Sequence, residues 1–260
     1  MTMKRSLAVS LAVLFGLLMA IPCSLRSDET KDKSGPSTGS AKSDEKKTPA
    51  IALAKIIYNP PKTGAPKVRV DGGTRGDNDN LPTLSVLAPD HVALTTQEQP
   101  TLYWYQSKPA RLRFELTLLE ENKNKPVLVV KIDSSDKSGI QSLKLSEHQL
   151  KLVTGVEYEW AVALVADPEN RSKDIICSSV IKRVEPSPAL ASKLAKAGKP
   201  ELAAIYAEEG IWYDALEKVS NLIETEPANG LLHQLRSSLL TQVGLNQAAA
   251  YDTRLASAGN

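Results

Sequence analysis

Two short motifs contain residue types that catalyse hydrolysis. Asp90 and His91 are adjacent and could form half of an acid–base pair, but the sequence identifies no nucleophile to act with them. Gly35–Gly39 has the pattern of a hydrolase nucleophile elbow, which needs a strand before the serine and a helix after it. The surrounding segment is rich in serine, lysine and acidic residues and offers neither. We therefore expect neither motif to be catalytic.

A third motif contains the oxygen ligands that calcium prefers. Asp77–Asn80 alternates aspartate with asparagine, as calcium-binding loops do. The alternation stops at Leu81, and Ala88 occupies the twelfth position, where such a loop needs a bidentate glutamate. The three histidines and two cysteines of the chain are scattered rather than clustered. The sequence therefore predicts no metal, no cofactor and no enzymatic activity.

The clearest pattern in the elements around these motifs is a repeat of about 34 residues in the last quarter of the chain. Gly210 recurs as Gly244, and Ala215 recurs as Ala249. Glycine at a turn, with small residues in register, is typical of tetratricopeptide hairpins, which stack and present a concave surface to a partner. We therefore expect residues 186–260 to form a short tetratricopeptide-like α-helical bundle.

Residues 51–185 have the alternating pattern of short β-strands separated by turns. About seven such segments lie between Val92 and Val184, which predicts an antiparallel β-sandwich of the fibronectin or immunoglobulin kind. Leu152 to Tyr158 follows the layout of a tyrosine corner, in which the tyrosine hydroxyl binds a nearby backbone group. The predicted fold class is thus α+β, with a sandwich followed by a helical bundle.

The first 50 residues have the composition of a leader and a tether. Two basic residues precede the apolar run Leu7–Ile21, which is shorter than the roughly 20 residues of a membrane span. We interpret residues 1–23 as an export signal, with an uncleaved anchor or lipid modification at Cys23 as alternatives. Residues 24–50 predict a disordered tether. The expected location is extracytoplasmic, either periplasmic or envelope-associated, with secretion as an alternative.

Several strings along the chain form a specific combination: Tyr58–Pro61, Asp71–Gly76, Leu84–Pro89, Pro100–Tyr105, Tyr158–Trp160 and Gly210–Ala215. This combination resembles the bacterial family catalogued as domain of unknown function 928. The resemblance extends over nearly all of the presumed mature chain. That family is exported and uncharacterised, so the resemblance implies an exported protein and adds no catalytic residue.

Binding a protein partner is the function that these patterns favour. The net charge of +2, without a dense basic stripe, argues against nucleic acid, and membrane contact is expected only through the leader. A partner would contact the helical repeats or the seam between helices and sandwich, at Tyr206, Trp212 and Tyr213. Trp212 is too large for a tight helix crossing and should dock the helices on the sandwich. Arg75 begins an Arg-Gly-Asp adhesion tripeptide, a string that also arises by chance.

Carbohydrate binding or adhesion at a surface is the alternative function. Tyr103 and Tyr105 alternate with Trp104, so the two tyrosines share one face of a strand and the tryptophan lies on the other. Exposed tyrosine rings on that face would stack on sugars. We expect plain core packing for Trp104.

Overall fold

The fold is described from a computed structural model. The structure describes four stretches of the chain, which are residues 55–61, 69–72, 81–133 and 136–258. All four lie in one compact unit that spans Pro49–Asn260. The predicted leader and tether, Gly35–Gly39, Arg75 and Asp77–Asn80 lie outside the described residues. The described chain is mixed α+β, as predicted.

The strands form two sheets. Their bounds are β1 Leu84–Val86, β2 Ala93–Thr95, β3 Thr101–Gln106, β4 Phe114–Glu120, β5 Leu128–Ile132, β6 Gly139–Lys144, β7 Glu157–Leu164 and β8 Ile175–Arg183. The small sheet has the strand order β1-β3-β6, and the large sheet has the order β2-β8-β7-β4-β5. Buried side chains of both sheets and of the helices belong to one hydrophobic cluster.

One strand pair corrects the expectation of an entirely antiparallel arrangement. β2 runs parallel to β8, with Ala93 opposite Ile181. Parallel neighbours need a long connection between them, and the five strands between β2 and β8 in the chain supply it. The alternation of apolar and polar residues predicted the strands themselves, but it did not predict that β2 pairs with β8 in parallel.

A short extended segment joins the two sheets. Val70 exchanges two backbone hydrogen bonds with Ser178 of the large sheet, each 3.0 Å long. Gly72 exchanges two with Leu84 of the small sheet, at 2.9 and 3.0 Å. A Cβ atom at Gly72 would lie 2.9 Å from the Ile175 side chain, so the close approach requires glycine.

The described helices are α1 Pro188–Lys196, α2 Leu202–Glu208, α3 Trp212–Thr225, α4 Gly230–Thr241 and α5 Asn246–Ala258. Ser187 caps α1, as its position before a proline predicts, because its side chain accepts a hydrogen bond from the Leu190 amide. No described helix combines the length and apolar character needed to cross a membrane.

The 34-residue sequence repeat is matched by a repeated turn. Gly210 ends the α2–α3 turn and Gly244 ends the α4–α5 turn, and both have φ of +75°. In each turn the amide after the glycine donates to the carbonyl five residues earlier, at 2.9 Å in the first and 3.1 Å in the second. This bond is characteristic of a Schellman motif. The two helical hairpins therefore reverse direction by the same local geometry.

The tyrosine corner is present. The Tyr158 hydroxyl accepts a hydrogen bond from the Val153 amide at 3.2 Å. Cys177 is a free cysteine in the core, and its Sγ donates to the Val162 carbonyl at 3.7 Å. Burial raises the pKa of the Cys177 thiol to about 12, so the thiol is neutral and unreactive in the folded chain.

Candidate functional site

Helix α3 docks on both sheets through two aromatic side chains. The indole Nε1 of Trp212 donates to the Leu87 carbonyl, after β1, at 2.8 Å. The Tyr213 hydroxyl accepts from Nε1 of Trp160, on β7, at 2.8 Å. The predicted docking role of Trp212 is therefore confirmed. Both side chains are buried within the chain, so the predicted partner contact at Trp212 and Tyr213 is not available.

An arm formed by residues 55–61 lies against both hairpin turns. The Tyr58 amide donates to the Gln242 side chain at 2.8 Å, and the same Gln242 side chain donates to the Ile56 carbonyl at 3.1 Å. The Asn59 amide donates to the carbonyl of Ala207 at 3.0 Å. Because Ala207 lies before the first turn and Gln242 before the second, the arm links the two helical hairpins.

The Asp90–His91 pair takes part in this docking through contacts of both side chains. Nδ1 of His91 is 3.0 Å from the Val92 carbonyl, so this nitrogen carries the proton and donates. Nε2 then accepts from the Tyr58 hydroxyl at 3.2 Å. Burial raises the pKa of Tyr58, which keeps this donor protonated. Asp90 contacts Arg69 instead, at 3.6 Å.

Arg69 joins the second hairpin to the small sheet. Its Nη1 donates to the Ala88 carbonyl at 2.9 Å and to the Val243 carbonyl at 3.2 Å. Its side chain is only 7% exposed and is held by an ion pair with Asp71. Arg69 therefore has a structural role that single-sequence reasoning did not assign, since its acceptors are backbone groups far away in the chain.

Two carboxylates of α3 are buried against the loop that follows β2. Asp214 accepts from the Thr95 hydroxyl at 2.7 Å and from the Thr96 amide at 3.1 Å. Glu217 accepts from the Thr101 hydroxyl at 2.7 Å. Burial raises the pKa of Asp214, and the hydrogen bonds from the threonines oppose that shift. The signal that sequence reasoning missed is two acidic residues three apart in the otherwise apolar start of the helix, Trp212–Glu217.

The two tyrosines proposed to stack on sugars are buried. Tyr103 is 3% exposed and Tyr105 is 4% exposed. The ring of Tyr105 lies 5.9 Å from that of Tyr251 on α5, which shows that helices cover this face of β3. The carbohydrate hypothesis needs exposed rings, so it loses its proposed stacking surface. Alternation predicted the shared face correctly, but not that helices would cover it.

A cleft of about 220 Å³ lies between this face and the helices. Its polar and aromatic lining includes Tyr103, Ser142, Ser220, His233, Arg236 and Tyr251, together with the carboxylate of Glu224. The hydroxyl of Tyr103 is buried. Burial raises the pKa of Tyr103 and the carboxylates of Glu217 and Glu224 raise it further, whereas hydrogen bonding with Ser220 and Thr101 opposes the shift. The cleft is therefore a polar site with negative charge close to its floor.

A buried ion-pair cluster supports one wall of the cleft. Nε and Nη2 of Arg236 donate to the Asp252 carboxylate at 2.7 and 2.8 Å, and Nη1 donates to Ser220 at 3.1 Å. His233 contacts Asp252 through Nδ1 at 3.0 Å. Its Nε2 lies 3.0 Å from the Pro227 carbonyl, so neither ring nitrogen is free to take a proton from Ser220. This arrangement suits binding better than catalysis.

Tyr206, the remaining predicted contact within the described chain, lies on α2 and is partly exposed. Among the four described stretches, no three histidine, cysteine or acidic side chains are grouped as metal ligands. The cleft between β3 and the helices is thus the candidate binding site, and Tyr103 is the one predicted contact among its described lining residues.

Comparisons with known proteins give one family match. The model described as Domain of Unknown Function (DUF928) matches residues 70–253. No curated protein matches the chain. Among solved structures, a multi-domain immunophilin from Arabidopsis thaliana aligns with 75% of this chain and 100% of its own, at 11% identity and a TM-score of 0.20. That score is too low to support an argument about the fold.

Proposed function

The chain belongs to the family of domain of unknown function 928, whose model covers residues 70–253, and we propose that it is a non-enzymatic protein that binds a protein partner. The partner site is the cleft between the small sheet and the helical hairpins. The observation that carries the proposal is this polar cleft, at which β3, β6 and three helices meet. Its histidine is held on both ring nitrogens, so the groups that could move a proton are already used within the fold.

The helical part supports the same proposal. The two hairpins repeat a turn with φ of +75° at positions 34 residues apart, which suits a tetratricopeptide-like pair. Repeats of that kind present their surfaces to other proteins. We also propose that the two sheets form a sandwich of the fibronectin or immunoglobulin kind, on which the hairpins are fixed.

We place this binding function outside the cytoplasm. Support comes from the sequence, in which the apolar run Leu7–Ile21 follows two basic residues and precedes a polar, serine- and lysine-rich stretch. A leader of this kind would deliver the chain to the periplasm or envelope. The partner would then be an envelope or secreted protein.

Site-specific crosslinking in cells of the native host tests the proposal. Leu255 lines the cleft and is 36% exposed, and Val129 lies on the outer face of the large sheet and is 51% exposed. A photoreactive benzoylphenylalanine is placed at either position. We expect a discrete protein adduct from position 255 and none from position 129.

A second change shows whether the adduct depends on the cleft. Ser142 is exposed, lines the cleft and pairs with Tyr103 across the strands, so Ser142→Trp fills the cleft from the sheet side. The adduct at position 255 should disappear in this variant. Identical adducts at 255 and 129, or an adduct that Ser142→Trp leaves unchanged, would contradict the proposed site.

A further inference from the structure

The size of the cleft limits what it can hold. At about 220 Å³ it is smaller than the roughly 300–1,000 Å³ of pockets that take drug-sized ligands or cofactors. It is open along one side, where Ser142 of β6 and Glu224 of α3 are exposed. These dimensions suit one long side chain that projects from a larger molecule outside the cleft.

The charge of the cleft determines the sign of that side chain. Arg236 is neutralised by two hydrogen bonds to Asp252, which is fully buried. Glu224 is exposed at the rim and forms no salt bridge with another described residue. Glu217 and Glu224 both act on the Tyr103 hydroxyl at the floor. Among the charged residues that line the cleft, Glu224 is therefore the one without an ion pair to another described residue, and its charge is negative.

The remaining lining groups suit an elongated cation. The Tyr251 ring forms one wall and already holds the guanidinium of Arg254 at 5.8 Å from its centre. The Tyr103 side chain adds a second aromatic residue to the lining. Aliphatic carbons of Ile140 and Ile223 line the space between these polar groups.

We propose that the cleft receives a single lysine or arginine side chain of the protein partner. This inference rests on the proposed function and names the chemistry by which the partner is recognised. The aliphatic stem of that side chain packs on Ile223 and Tyr251. Its charged head lies beside the Glu224 carboxylate at the rim.

Peptide titration of the purified full-length chain tests the inference. Five-residue peptides, acetylated and amidated at their ends, differ only in the central residue, which is lysine, arginine, norleucine or glutamate. Isoleucine methyl NMR signals report the location of binding, because Ile140 and Ile223 line the cleft whereas Ile181 lies in the large sheet. We expect the lysine or arginine peptide to shift the first two signals and leave the third unchanged. The norleucine and glutamate peptides should cause no such shift.

Matched glutamate variants test the role of charge. Glu224→Gln should weaken binding of the cationic peptide about two- to fivefold, the range for a solvent-exposed ion pair. Glu208→Gln, an exposed glutamate on α2 outside the cleft, should leave the affinity unchanged. Equal binding of norleucine and cationic peptides, or equal effects of the two variants, would overturn the inference.

The outcomes for the inference and for the proposed function can be separated. If no peptide shifts the cleft signals but the adduct at position 255 forms and is lost in Ser142→Trp, the partner binds there without a basic side chain. The inference then fails and the proposed function stands. If the adduct is also absent, both fail.

Discussion

At the scale of single residues, two glycines with the same backbone conformation differ in their surroundings. A Cβ atom at Gly210 would lie 2.8 Å from the Asn59 carbonyl oxygen of the arm, whereas one at Gly244 would have no neighbour within 4 Å. Both glycines have φ of +75°, so alanine is strained at either position by about 1–2 kcal/mol. The pair therefore separates backbone strain from loss of arm docking.

We expect Gly210→Ala to reduce the free energy of unfolding by clearly more than Gly244→Ala. The additional loss should be about 1–3 kcal/mol, because the new methyl group displaces the arm or distorts the turn. Urea denaturation monitored by circular dichroism measures both values. Equal losses in the two variants would show that the arm adds no stability at the first turn.

The second residue-scale prediction concerns the buried carboxyl of Asp214. Its folded-state pKa is raised by burial, so the folded chain binds this proton more tightly than the unfolded chain does. The stability contribution of this carboxyl is therefore greatest below the unfolded pKa, and it is lost as pH rises towards the folded pKa. Asp214→Asn removes this titration and keeps an oxygen that can accept from Thr95 or Thr96.

We expect Asp214→Asn to gain stability relative to the parent chain as pH rises from about 4 to about 7. Denaturation curves of both proteins over that range provide the measurement. As a control for the lost hydrogen bonds, Asp214→Ala should be less stable than Asp214→Asn at every pH. An asparagine variant that loses stability relative to the parent chain as pH rises would contradict the raised pKa.

At the scale of elements, the arm is a short extended segment held mainly by Tyr58. The Tyr58 ring contacts Trp212 edge-on at 5.0 Å and stacks on His91 at 5.9 Å. Its neighbour Ile57 is 43% exposed. The two adjacent residues therefore allow a comparison of a docked and a solvent-facing side chain on the same element.

Tyr58→Ala should reduce the free energy of unfolding by about 3–5 kcal/mol, as removal of a buried aromatic side chain does. Ile57→Ala should change it by about 0.5 kcal/mol or less, because that side chain faces solvent. Thermal and urea denaturation of the two variants provide the test. A similar small effect of both changes would mean that the arm is not part of the cooperative fold.

Sequence alone predicted local features of these elements and not the contacts between them. Alternation located seven of the eight described strands, and it missed β1, whose alternation spans only three residues. Trp212 was predicted to dock because of its size, and its acceptor, the Leu87 carbonyl, lies 125 residues away. The cleft was not predicted, since its residues come from β3, β6 and three helices. The spacing of residues within one helix or strand gives no information about which other elements pack against it.

At the scale of the whole molecule, the helices depend on the sheets. Helix α3 buries Trp212, Tyr213, Asp214 and Glu217, whose contacts lie on strands or on the loops after β1 and β2. Two hairpins are also fewer than the roughly three repeats that a free-standing stack needs. We therefore infer that the helical part is stable only on the sheets.

A fragment of residues 186–260 should accordingly lack cooperative unfolding. Most of the α3 surface that contacts the sheets would be exposed, and Asp214 would lose its threonine partners. Circular dichroism during heating is the measurement, with the full-length chain as the control. A sharp thermal transition of the isolated fragment would show that the hairpins are an independent domain.

The arm also affects the order in which the molecule can be completed. Tyr58 binds Gln242, which lies 184 residues later in the chain. At roughly 5–20 residues per second, the ribosome would make that glutamine about 10–40 seconds after the tyrosine. The contact between the arm and Gln242 cannot form during this interval. The arm is thus among the first described residues to be synthesised and among the last to reach its native position.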